Sequence, residues 1–304
     1  MSTLTISTST CHAAVALTGA LFLSLFTAGC HQTIPDPALS CDPETFNSIE
    51  GVRIASTAEV KNREGLLAFC AVQGIIDPNI GFEARLPLDG WNGKFYQSGC
   101  GGYCGSVLPD KPGYSNTINK ALQKGYAAIT TDGGHSASMG DASWALNNPV
   151  AVEMYAHRAV PLTYRAGTRL VENFYGRPPT LEYFSGCSNG GRLAAMAAQR
   201  YPELFDGILG GGAVLNLSQN GGIYGSWVVQ SNTGPDGRRV LNSENFGHKL
   251  PALEAAVVEQ CDASDGIRDG IISLPRQCMV DVSALPHCND GESENCFTEA
   301  ERAV

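Results

Sequence analysis

The sharpest chemical signal in the chain is the run Tyr183-Phe184-Ser185-Gly186-Cys187-Ser188-Asn189-Gly190-Gly191-Arg192. A serine hydroxyl is a weak nucleophile at its free pKa, so it needs a base to take its proton and donors to hold an oxyanion. Gly186-x-Ser188-x-Gly190 between a strand and a helix is the pattern in which a strained turn lifts a serine above a sheet edge. The glycines give that turn room, because a Cβ there would meet the crossing strand and helix. Ser188 is thus the candidate nucleophile and the backbone N–H of Asn189 a candidate oxyanion donor, against the plainer alternative of a tight structural turn. Upstream, Ser98-Gly99-Cys100-Gly101-Gly102-Tyr103-Cys104-Gly105 follows a strand and offers the backbone N–H groups of Gly101 and Gly102 as further donors. No Gly-Lys-Ser/Thr follows, which makes a phosphate cradle a poor reading of this loop.

These residues must be carried by a scaffold, and the punctuation of the chain supplies one. Phe82–Leu88 reads as a strand, Asn92-Gly93 as a tight turn and Lys94–Gln97 as a second strand. A helix over Ser115–Lys124, a strand over Tyr126–Thr131 and a helical stretch over Val152–Tyr175 that Pro161 would kink come next. Leu181–Phe184 is a short strand and Gly190–Arg200 a small-residue helix. Strand and helix in alternation predict an α/β sheet with crossover helices over residues 45–215. After Asn216 the pattern dissolves into loops bounded by cysteines, which predicts an inserted or appended domain over residues 216–304.

The 304 residues are 43% hydrophobic, enough for a substantial core, so a disordered chain is excluded. A charged fraction of 16% with 35 glycines and 16 prolines suits a loop-rich extracytoplasmic enzyme better than a helical bundle. The net charge of -10 repels phosphate backbones and argues against a nucleic-acid partner.

Ala13–Ala28 is an apolar run too short to span a bilayer comfortably and suited to a signal-peptide core, so residues 1–29 are expected to be a leader. Thr27-Ala28-Gly29-Cys30 resembles a bacterial lipoprotein cleavage site, with Cys30 the acylated residue and a membrane anchor. The Lys- and Arg-free start and the Thr at position 27 keep plain secretion open beside lipidation. Residues 30–44, polar and Pro-rich, read as a tether. Of the 11 cysteines, Cys11 and Cys30 belong to the leader. The odd number remaining implies disulfides and one thiol lacking a partner in this chain. Short paired Cys/His spacings of the kind that hold zinc do not occur.

Several stretches together resemble the tannase and feruloyl esterase family of α/β-hydrolases, which includes mono(hydroxyethyl) terephthalate hydrolase. They are Trp91-Asn92-Gly93-Lys94-Phe95, Thr131-Asp132-Gly133-Gly134-His135, Gly186–Arg192, Arg200–Gly207 and Cys261–Gly270. The resemblance covers roughly residues 41–304. It implies an α/β-hydrolase fold with an inserted lid, and an exported carboxylic-ester hydrolase acting on a small aromatic ester, feruloyl, galloyl or terephthalate-type, through an acyl-enzyme. It also implies that Cys187 pairs with a cysteine directly after the catalytic histidine. Cys41 with Cys70, Cys261 with Cys278, and Cys288 with Cys296 match local bridges of the family. Cys100 and Cys104 are left to pair across the glycine loop, which the family does not settle. Triad order is Ser, Asp, His, and only His248 and His287 follow Ser188. His287-Cys288 imitates the family's His-Cys pair, but Cys288 is claimed by Cys296, so the catalytic Asp and His are expected beyond Val304. His135 and His157 precede the serine and read as structural. A peptidase, a depolymerase or a non-catalytic surface lipoprotein on the same scaffold are the alternatives.

Asp262, Asp265 and Asp269, with Gly266 and Gly270 between and after them, set three hard oxygen ligands on one short loop, and Ca²⁺ takes about six to eight such oxygens. The spacing is not that of an EF-hand. The resemblance implies a structural calcium site in the lid, with carboxylates from these three residues and carbonyls from Ile267 and Ile271. A solvated acidic turn is the other reading.

Overall fold

The structure is a computed structural model that describes residues 39–61, 63–111, 117–289 and 295–304. The expected leader and the first part of the expected tether lie outside the described residues. The tether does not run to residue 44. From Leu39 the chain packs on the core, Cys41 is bonded to Cys70, and Phe46 is fully buried with its ring 6.1 Å from that of Phe174.

Seven strands form one mixed sheet in the order β1-β2-β3-β5-β4-β6-β7: β1 Val52–Val60, β2 Phe69–Ile76, β3 Ile80–Pro87, β4 Lys94–Ser98, β5 Ala127–Thr131, β6 Leu181–Cys187 and β7 Gly207–Gly211. β1, β2, β3 and β5 pair antiparallel, and β5, β4, β6 and β7 parallel. The parallel half is the crossover sheet expected from the sequence. β5 is buried along its whole length, as a strand covered on both faces must be.

Alternation along the strands builds two layers. Phe95, Ile129 and Phe184 point to one face, under α3 (Ala159–Tyr175) and α4 (Asn189–Arg200). Leu170, Val171 and Phe174 of α3 join that core, and Leu193, Ala194 and Ala197 of α4 pack with Phe184 and Phe205. Gly167 lets α3 lie close on the sheet, since a Cβ there would sit 2.5 Å from the Phe95 ring. Ala128 points to the other face, under Ile118 and Ala121 of α1 (Thr117–Gln123).

The helix read over Val152–Tyr175 begins earlier, at α2 (Pro149–Glu153), which Asn148 caps by accepting the Ala151 N–H. A wide turn, Met154–Arg158, joins α2 to α3. The irregularity expected at Pro161 therefore falls one turn upstream. Proline has no N–H to offer the carbonyls behind it, and the helix widens where that bond is missing. Beyond β7 come α5 (Gly225–Ser231), α6 (Leu250–Cys261) and α7 (Glu299–Ala303), joined by loops and single turns. Among the described residues no helix is long and apolar enough to cross a membrane.

Candidate active site

Strand β6 ends at Cys187 and α4 begins at Asn189, so Ser188 alone makes the reversal. Its backbone lies at φ 60° and ψ −120°, a conformation that costs a non-glycine residue about 1–3 kcal/mol. The surroundings impose it. Ser188 N–H donates to Gly211 O at 2.9 Å, and Ser188 O accepts from Arg192 N–H at 3.1 Å and Val214 N–H at 3.3 Å. A Cβ on Gly186 would lie 2.4 Å from the Gly190 carbonyl, and one on Gly190 2.9 Å from Gly99 O. Ser188 itself is half-buried at the end of the parallel strands.

The glycine loop after β4 crosses the start of α4. Gly99 N–H donates to Ser185 O at 2.8 Å, and Cys104 N–H returns to Gly101 O at 3.0 Å. Gly102 and Cys104 take positive φ, 57° and 59°, and a disulfide joins Cys100 to Cys104. The side chain of Asn189 ties loop to helix, its Nδ2 donating to Cys100 O at 3.0 Å and to Cys104 Sγ at 3.3 Å. The first N–H groups of a helix have no intrahelical acceptor, and Asn189 is the first residue of α4. The glycine loop is thus tied to the elbow through Ser185, the close approach of Gly99 to Gly190, and the Asn189 side chain.

The histidines stand elsewhere. His135 Nε2 lies 2.7 Å from Tyr103 O, and its ring stacks on Trp144 at 3.7 Å; burial holds its pKa below the ordinary value. His157 Nδ1 meets the Tyr201 hydroxyl at 3.0 Å, and burial and then the Arg200 charge lower its pKa. His287 is half-exposed, 4.0 Å from Glu299. Among the described residues no histidine hydrogen-bonds to Ser188. The thiol of Cys187 is free and half-buried, and Cys288 is bonded to Cys296.

Asp132 follows β5 and underpins the loop. Its carboxylate accepts N–H groups from Gly81 at 3.1 Å and from Gly134 at 2.8 Å, while its backbone carbonyl accepts from Gly105. Burial outweighs the two N–H donors and pushes its pKa up to about 6.

Around the acidic loop, Asp262 is buried and its Oδ1 accepts from Asp269 N–H at 3.3 Å and Gly270 N–H at 2.9 Å. Asp265 accepts from Ile267 N–H and Asp269 from Ile271 N–H. The Cys261–Cys278 disulfide closes this segment. Among the described residues no three acidic, histidine or cysteine side chains converge on a common ligation point. In this arrangement the loop satisfies its own backbone, and Ile267 and Ile271 serve as N–H donors.

Sequence reading overlooked Tyr155 and the role of Arg192, which surround the Asn189 side chain. Tyr155 lies 34 residues from Asn189, and nothing local in its neighbourhood announces the contact.

Residues 66–304 match the sequence profile of the tannase and feruloyl esterase family. The chain belongs to this family. An uncharacterized esterase of Xanthomonas campestris is 37% identical over 239 residues, which are 77% of this chain and 39% of that protein. Mono(2-hydroxyethyl) terephthalate hydrolase of Piscinibacter sakaiensis is 32% identical over 251 residues, 75% of this chain and 41% of that protein. The crystal structure of feruloyl esterase B from Aspergillus oryzae matches with a TM-score of 0.63 and 26% identity, over 86% of this chain and 53% of that one. The fold of this tannase and feruloyl esterase family member is of the α/β-hydrolase type, and the chain spans about two-fifths to one-half of the length of these relatives.

Proposed function

We propose that the protein is an exported serine carboxylic-ester hydrolase acting on small aromatic esters through an acyl-enzyme. The observation that carries the proposal is the backbone of Ser188, held at φ 60° between β6 and α4 beside the Gly101–Gly102 loop. Ser188 Oγ attacks the ester carbonyl; a base takes the hydroxyl proton and returns it to the leaving alcohol; water then releases the acid. Backbone N–H groups of Asn189 and of the glycine loop receive the charge that develops on the carbonyl oxygen. The base in this proposal is a histidine followed by a cysteine that bonds to Cys187, which would staple base to nucleophile. An aromatic acyl group is favoured because relatives are named for feruloyl and terephthalate esters.

In the intact protein, Ser188→Ala is expected to lower kcat by about 10⁴-fold or more on feruloyl, galloyl or terephthalate half-esters. An unaffected kcat, or hydrolysis of peptides in preference to esters, defeats the proposal. Non-reducing peptide mapping with intact mass is expected to find Cys187 joined to a cysteine beside a histidine. The same mass reads the N-terminus, where acylated Cys30 marks a membrane-anchored lipoprotein and an unmodified start marks plain secretion. Four disulfides support an oxidising compartment in either case.

The acidic loop enters the proposal as a structural calcium site on its donor chemistry alone. Asp262, Asp265 and Asp269 supply hard oxygens on one closed loop, and binding would require Asp265 and Asp269 to turn inward from their present N–H partners. A chelator is expected to lower the melting temperature of the intact protein, with Ca²⁺ restoring it and kcat per folded molecule unchanged; indifference to the chelator removes the ion.

A further inference from the structure

Arg192 is singled out by where its guanidinium goes. Its Nη1 donates to Ala156 O at 2.8 Å and its Nη2 to Tyr155 O at 2.9 Å, both carbonyls of the wide turn between α2 and α3. Its Nε donates to Asn189 Oδ1 at 2.7 Å, and its plane lies over the Tyr155 ring at 4.7 Å. Pro161 has no N–H for the Ala156 carbonyl five residues behind it, and the Arg192 fork supplies a donor to that carbonyl and another to Tyr155 O in the wide turn. An arginine presents that fork rigidly and a lysine does not.

The same cluster fixes both sides of the oxyanion site. The Asn189 amide is fully engaged: Oδ1 accepts from Arg192 Nε and from the Tyr155 hydroxyl at 2.8 Å, and Nδ2 donates into the glycine loop at Cys100 O. The Tyr155 hydroxyl also lies 3.1 Å from Gly102 O, within the loop itself. Asn189 and Tyr155 are buried, at 1% and 7% exposure, so these bonds do not exchange freely with solvent. Arg192 therefore sits where the helix that carries one oxyanion donor and the loop that carries the other are bolted together. Their separation decides whether both donors reach the same developing oxyanion.

We propose that Arg192, acting through Asn189 and Tyr155, is a positioning residue that sets the spacing of the oxyanion donors, and that the wide turn of the α2–α3 helix exists to receive it. The inference rests on the reading of Ser188 as nucleophile. It concerns the transition state only: the clamp touches no substrate atom and adds nothing to ground-state binding.

The experiment compares Arg192→Lys, Arg192→Ala and Tyr155→Phe with the parent in the intact protein, using an aromatic ester, an arylboronic acid that forms a tetrahedral adduct at the serine, and the corresponding aryl carboxylic acid. Misplaced donors are expected to lower kcat about tenfold to a hundredfold, a fraction of the loss on deleting a donor outright, with KM within about twofold. Boronate affinity should fall in parallel while carboxylate affinity holds, and added guanidinium should partly restore Arg192→Ala. A folded Arg192→Ala with parental kcat and boronate affinity overturns the proposal, as does a variant that melts earlier yet keeps both. Ser188→Ala separates the two levels. If it is inactive while the Arg192 variants match the parent, only the positioning role falls; if it retains activity, the nucleophile reading and this inference fall together.

Discussion

Among the described residues, both sides of β7 carry two disulfides and a buried ion pair, but they differ in how much apolar side chain they bury. Residues 39–211 close over a sheet with a deeply buried apolar core, in which Phe95, Phe184, Ile129 and Leu170 are each at most 1% exposed, although Leu209 at the β7 edge is 69% exposed. Residues after β7 leave apolar surface open, with Trp227 at 63% and Met279 at 86% exposure. That region is pinned by the Cys261–Cys278 and Cys288–Cys296 disulfides and by a buried ion pair in which Lys249 Nζ donates to both oxygens of Glu301 at 2.8 and 2.7 Å. Both partners are almost fully buried. The contrast teaches that close packing, with the Cys41–Cys70 and Cys100–Cys104 disulfides and the buried Arg85–Glu83 pair beside it, specifies the half that must hold Ser188 in a strained backbone, because only a close-packed surround over-determines such a conformation. The second half, with less apolar burial, leans more on its cross-links and on the buried Lys249–Glu301 pair, so it should respond to different insults.

The comparison breaks first on the core. Phe95→Ala removes a ring against Gly167 and Tyr164 and is expected to cost about 3–5 kcal/mol in denaturant unfolding, with loss of ordered near-ultraviolet signal. A cost under about 1 kcal/mol would mean that the sheet is not held by this packing. Lys249→Met strands Glu301 as a buried charge and is expected to cost about as much or slightly less, but locally: hydrogen-exchange protection should fall in α6 and α7 and stay unchanged in β3–β6. The double variant Lys249→Met/Glu301→Leu should recover most of the loss, and a global effect of the single variant would erase the distinction between the two halves.

The smallest expected effect is one of pH. The Asp132 carboxyl, with its folded pKa raised to about 6 from 3.8, stays protonated in the folded protein where the unfolded chain has already released its proton. The folded state then binds more protons, so this group's contribution declines as pH rises from about 4 to about 6. Asp132→Asn removes that decline, and melting temperatures of variant and parent across this window should converge at the acid end and favour the variant at pH 6. Parallel melting curves across the window would show that burial does not perturb Asp132.

How much of this was readable in advance follows the range of the interaction. The elbow was legible because its signal is local: two glycines, a serine, a strand before and a helix after. β4, β5 and the crossover character of the sheet around them were legible for the same reason, though not the strand order. β1 was not, since Val52–Val60 mixes Arg53, Ser56, Thr57 and Glu59 into an edge strand with no clean alternation of burial. β7 was not, because Gly207-Ile208-Leu209-Gly210-Gly211 has poor strand propensity and is a strand only by pairing with β6. The tether, read to residue 44, was overextended, because nothing local shows that Leu39 will pack on the core.

By itself the sequence determined the elbow that carries Ser188, the glycine loop, an α/β scaffold and the resemblance to a family, all carried by residue types within a turn or two of one another. Only the tertiary structure decided what keeps them in register. It brought Tyr155 and Arg192 to the Asn189 amide, opened the helix behind Pro161 to receive a guanidinium, and paired Cys100 with Cys104. The physical reason is that a strained turn is encoded where it occurs, whereas the forces that hold it strained come from groups distant in sequence, whose meeting depends on the fold as a whole.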